Sequence, residues 1–125
     1  MKLESVLTFT EREEELASLL TDVGMKRNVA KVLVYLAGTD KATSREIERG
    51  TDLRQPEVSI AMRTLGEKGW IVNIESKAEC KGRPVKIYSL SKSIGDIIDI
   101  IESDKKTEIQ SQLDLIKSVR NIVVS

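Results

Sequence analysis

The sequence has no histidine and a single cysteine. Histidine is the commonest metal ligand and the usual general base near neutral pH, so its absence excludes His-based zinc sites and Ser-His-Asp or Cys-His triads. A lone Cys80 closes no intramolecular disulfide and leaves no second thiol for a metal cluster. Apolar runs such as Val32-Leu33-Val34-Tyr35-Leu36-Ala37 are far shorter than the roughly 20 residues that cross a bilayer. The opening Met1-Lys2-Leu3-Glu4-Ser5 has no apolar stretch followed by a small-residue cleavage site, so a cytoplasmic chain without a membrane span is expected. No paired base and nucleophile or phosphate-cradling glycine loop is evident, and neither an enzyme nor a bound cofactor is expected.

What remains is one domain's worth of chain. Its 125 residues are 40% apolar, enough for a core, and 32% charged. Net charge is zero, but it is unevenly spread. The stretch 41–92 carries eleven Lys and Arg against seven Asp and Glu, whereas 1–22 carries two against six and 93–125 four against six. A polyanion senses the local sign of one face, because charges beyond a Debye length of about 8–10 Å are screened. The basic middle is therefore the part suited to meet one.

Thr10-Glu11-Arg12-Glu13 carries a capping signal and predicts a first helix over about 11–22, with Leu16, Leu19, Leu20 and Val23 at helical spacing before Gly24. Its acidic first turn complements the helix dipole. A second helix is expected over about 26–37, with Val29, Val32, Leu33 and Leu36 inward. Thr43-Ser44-Arg45-Glu46 repeats the capping signal and opens a short helix through about Arg49, with Ile47 inward. A turn at Gly50-Thr51-Asp52 follows, and Gln55-Pro56-Glu57 starts a longer helix with Pro56 at the first helical position, where the missing N–H costs nothing. Val58, Ala61, Met62 and Leu65 form its inward stripe. Two helices joined in this way make a helix-turn-helix.

After Trp70 the period becomes alternating. Ile71, Val72 and Ile74 read as one strand and Val85, Ile87, Tyr88 and Leu90 as another, joined by a polar connection, which is a hairpin wing. Trp70 and Tyr88 stand at its root and are read as core or hinge residues. From Ser91 onward the chain is helical again, capped by Ser91 or Ser93. Ile94, Ile98, Ile101, Leu115, Val119 and Ile122 share one heptad register interrupted by Lys105, Glu108 and Gln112. Residues 92–123 form either one helix of roughly 48 Å or two helices broken between Glu102 and Glu108.

Together, Thr43 to Ile47, Leu53 to Ser59, Lys68-Gly69-Trp70-Ile71 and Gly82-Arg83-Pro84-Val85 resemble winged-helix transcription regulators of the MarR and TrmB type over about residues 26–90. Asp52 stands where relatives often carry Gly, and Ile60 where they often carry a basic residue. The resemblance implies an α+β, mostly α fold: a winged helix-turn-helix with a three-helix core and a β-hairpin wing. It further implies a homodimer on double-stranded DNA, with the second helix of the motif, about 55–68, in the major groove and the wing, about 71–90, at the minor groove. Binding of a small-molecule effector is an expectation that comes from the resemblance alone, and no polar cluster identifies one.

On this basis 1–24 is an N-terminal helix of the dimer interface, 25–91 the DNA-binding domain and 92–125 a dimerisation segment. The expected DNA contacts are Thr43, Ser44 and Arg45 at the first motif helix, Arg54, Gln55, Pro56, Glu57, Ser59, Ile60 and Arg63 on the recognition helix, and Lys81 and Arg83 at the wing tip. Capping alone accounts equally well for Thr43 and Glu46. The alternative is a winged helix that serves as a protein-interaction module in a larger assembly.

Overall fold

The computed structural model describes residues 10–76 and 85–125. It divides into two compact units, one running through Lys92 and the other Ser93–Ser125.

Helix α1, Glu11–Val23, begins with the Thr10 side chain accepting the Glu13 N–H at 3.2 Å while the Glu13 carboxylate accepts the Thr10 N–H at 2.8 Å. Reciprocal capping satisfies two backbone donors that helix geometry leaves orphaned. Ala17 and Leu20 are buried, but Leu19 and Val23, expected on the inward stripe, are exposed. Helix α2, Arg27–Gly38, packs against α1 and buries Val29, Ala30, Val32, Leu33, Val34, Tyr35 and Leu36, so apolar residues surround it on nearly every side. It is the central strut of the core. Burial pushes the Tyr35 phenol above its ordinary value of 10.0, the carboxylates of Glu46 and Glu13 add to the effect, and Arg49 opposes it.

Strand β1, Ala42–Thr43, leads into α3, Ser44–Thr51, which carries a second capping box formed by Thr43 and Glu46. Ile47 of α3 is fully buried, and Thr51 satisfies its buried hydroxyl by donating to the Ile47 carbonyl at 2.6 Å. Gly50 lies under the Tyr35 ring, and a Cβ there would overlap ring carbon Cε1. Asp52 ends α3 in the left-handed conformation, φ 59 and ψ 38. Asp tolerates this region better than most residues, so the turn forms without glycine.

Helix α4, Gln55–Glu67, carries Pro56 in its first turn and buries Val58, Ala61 and Leu65, with Met62 half-buried. Strands β2, Ile71–Ser76, and β3, Val85–Leu90, pair antiparallel from Ile71 opposite Leu90 to Ser76 opposite Val85. Gly69, at φ 77, makes the turn into β2. The hairpin's base is tied by the Ser91 N–H to the Trp70 carbonyl at 2.8 Å and by the Ser91 hydroxyl to the Gly69 carbonyl at 2.6 Å. Trp70 is 4% exposed, a core residue as expected, with the Lys68 ammonium 5.2 Å from its ring centroid.

The wing differs from expectation in gaining a strand. β1 adds a third strand, with Ala42 opposite Tyr88 and Thr43 opposite Ile87, giving the sheet order β1-β3-β2. Val72 and Ile74, on one face of β2, are exposed.

The second unit is one helix, α5, Ile94–Val124, capped by the Ser93 hydroxyl accepting the Asp96 N–H at 3.1 Å. The sequence allows a break between Glu102 and Glu108, and none occurs. That stretch contains neither Gly nor Pro, and the pairs Lys106–Glu102 and Lys105–Glu108 bridge it along the helix.

Candidate nucleic-acid interface

Residues 52–54 separate the two motif helices, and the turn at Asp52 sets how α4 leaves α3. Because Val58, Ala61 and Leu65 face the core, helical geometry directs the other side of α4 outward. Gln55, Pro56, Ser59, Ile60 and Arg63 are exposed there. Arg54 precedes the helix as its N-cap and is also exposed.

Glu57, expected as a DNA contact, has a structural part in the fold. It is half-buried, and its carboxylate accepts the Arg54 N–H at 2.8 Å, which draws it back over the helix start. Thr64 is likewise half-buried, with its hydroxyl donating to the Ile60 carbonyl at 3.2 Å. Thr43 acts as the cap of α3, with its side-chain oxygen accepting the Glu46 N–H at 3.2 Å. Ser44 and Arg45 follow it in the first turn of α3.

The structure brings these separate segments together around two adjoining clefts. One, of about 140 Å³, is lined by Ser44, Glu48, Gln55, Val58, Ser59, Met62 and Tyr88. The second, of about 460 Å³, lies between the start of α3 and β3 and includes Thr43, Arg45 and Lys86. Ser44, Gln55 and Ser59, eleven and four positions apart along the chain, thus converge on one concave surface. Sequence reasoning reads Lys86 only as a lysine flanking Arg83 on the wing; that it lines one cleft with Arg45 depends on β3 pairing with β1. It misses Glu48 altogether. Glu48 is half-buried and lines both clefts, where its carboxylate opposes any anion. Helical spacing, with Glu48 one turn after Ser44, is the one signal that could have found it.

Lys81 and Arg83 lie outside the described residues, as do Lys77 and Cys80. No cluster of metal-ligating side chains occurs among the described residues, and no described helix is long and apolar enough to cross a membrane.

No family model matches the chain, and no curated protein matches it significantly. Solved structures do. A protein from the thermoacidophilic archaeon Sulfolobus tokodaii is 20% identical with a TM-score of 0.59, the match covering 90% of this chain and 99% of that one. A possible transcriptional regulator from Methanosarcina mazei is 15% identical with a TM-score of 0.58, covering 81% and 85%. A MarR family regulator from Neisseria meningitidis is 19% identical with a TM-score of 0.51, covering 89% and 87%. At these identities the likeness is one of backbone, and it agrees with the element order found here: the chain has the winged helix-turn-helix fold seen in MarR-type transcription regulators.

Proposed function

We propose that the chain is a sequence-specific double-stranded DNA-binding transcription regulator that acts as a homodimer in the cytoplasm. The observation that carries this is the outward face of α4, where Gln55, Ser59, Ile60 and Arg63 project from a helix whose other side is anchored in the core. A helix held in this way fits the major groove, which is wide enough to admit it and presents a distinct pattern for each base pair. Gln55 suits bidentate pairing with adenine, Arg63 suits guanine or a phosphate, and Ser59 suits a phosphate oxygen. Ser44 and Arg45 stand at the start of α3 and line the cleft beside β3; we assign them to the adjacent phosphate strand and the wing to the minor groove.

Support for the dimer comes from α5. Ile109, Leu113, Leu115, Ile116, Val119, Ile122 and Val123 are all exposed, on a helix far longer than one needed to cap a small core. A lone amphipathic helix in water is marginal, so the apolar side calls for a partner, and a second copy of α5 presents the same side. Two copies then offer two recognition helices to half-sites about 34–36 Å apart, or a multiple of that spacing. Selection of bound duplexes from a random pool at near-physiological salt tests this. An enriched inverted repeat is the expected result. No enrichment, with weak binding insensitive to salt, favours a protein-interaction module instead.

A further inference from the structure

We propose that Ile60 reads thymine, through apolar contact with the 5-methyl group in the major groove, so that each half-site contains at least one thymine selected by its methyl. This rests on the duplex-binding function proposed above and adds a base identity to it.

Position carries the inference first. At 3.6 residues per turn, Ile60 lies about 100–160° around α4 from Val58, Ala61 and Leu65 of the buried stripe, at one edge of the outward face, and it is 61% exposed. Its own fold gains almost nothing from it there. A β-branched residue in a helix loses χ1 freedom, and exposure leaves that loss without compensating burial.

Its neighbours supply the second observation. One turn earlier, Pro56 is exposed with its ring on the same side, and i,i+4 residues on a helix are adjacent. Pro56 and Ile60 therefore form a short apolar strip. Gln55, Ser59 and Arg63, all exposed, lie to one side of it with groups suited to base edges and phosphates. An apolar strip within a polar reading face requires an apolar partner. The major groove offers one prominent such group, the thymine methyl, which distinguishes an A·T pair by shape rather than by hydrogen bonding. Ile60 makes no hydrogen bond with its side chain, so contact with a phosphate or with a base edge lacking the methyl leaves it unrewarded.

The test uses the full chain and the duplex enriched by selection. Each constrained thymine is replaced singly by deoxyuridine, which deletes only the methyl, and affinities are compared for the natural chain and for Ile60→Ala. The exposed site of Ile60 allows the variant to fold, which circular dichroism checks. One or two deoxyuridine positions per half-site are expected to weaken binding about fourfold, the worth of one buried methyl. Ile60→Ala is expected to weaken binding to the thymine duplex by a similar factor and to show no further loss at those positions. The inference is overturned if every deoxyuridine duplex binds as well as its parent, if the loss persists unchanged in Ile60→Ala, or if the selected site has no constrained A·T pair. Selection that enriches no duplex overturns instead the function on which it rests.

Discussion

Replacing Gly50 by alanine tests the close approach on which the helix-turn-helix is built. Gly50 sits in α3 beneath the ring of Tyr35, a residue of α2 that is only 6% exposed. An added Cβ would overlap ring carbon Cε1 and stand 2.7 Å from both Cδ1 and Cζ. Carbon atoms prefer roughly 3.5–4.0 Å, so the ring or the helix must move by about an ångström. The burial of the Tyr35 side chain limits that movement. Overpacking of this kind costs about 1–3 kcal/mol, and so close an overlap belongs at the upper end. Alanine recovers about 1 kcal/mol through its better helix propensity, leaving a net loss of about 2 kcal/mol. For a chain of this length that lowers Tm by roughly 6–12 °C. Thermal denaturation followed by circular dichroism, at fixed protein concentration because association shifts Tm, measures it. The same substitution made in a Tyr35→Leu background should lose most of its penalty. Gly50→Ala as stable as the natural chain, or equally damaging without the tyrosine ring, would refute the reasoning.

Other outcomes follow from the same geometry. Asp52→Gly should be neutral or stabilising by up to about 1 kcal/mol because φ is 59, whereas Asp52→Val should destabilise by about 1–2 kcal/mol; equal stability of the two in urea denaturation would contradict a left-handed turn. The Tyr35 phenol titrates above 10.0 in the folded chain, so its contribution to stability is complete below that pH and is lost as pH rises through the raised folded value; denaturation midpoints should fall in that window and fall less in Tyr35→Phe. Leu113→Lys combined with Ile116→Lys should convert a dimer to a monomer in analytical ultracentrifugation at micromolar concentration, and a natural chain already monomeric there would sink the dimer. Arg63→Ala should cost about 1–3 kcal/mol in duplex binding and relax selectivity at one base pair; a uniform loss over all operator variants would assign Arg63 to phosphate alone.

How much is legible in the sequence follows from the range of each interaction. The caps at Thr10 and Thr43 are each settled by a residue three positions on, so the starts of α1 and α3 can be read directly, whereas the start of α5 is narrowed to Ser91 or Ser93 and the structure selects Ser93. The Asp52 turn, Pro56 in the first turn of α4 and the buried stripe Val58, Ala61 and Leu65 are likewise local, which is why residue spacing alone reveals the motif and its outward face. Tertiary structure decided what depends on distant partners. Leu19 and Val23 fit the helical period of α1, yet α2 meets only the side bearing Ala17 and Leu20. β1 is two residues long and exists because Ala42 and Thr43 meet Tyr88 and Ile87 across more than forty residues of chain, a pairing without any local signature. That pairing also brings Lys86 to Arg45. That Glu57 caps its own helix rests on a 2.8 Å hydrogen bond, which spacing permits without requiring. Local sequence determined where the helices begin and which way they face; only packing decided which of the outward residues remain free to meet a partner.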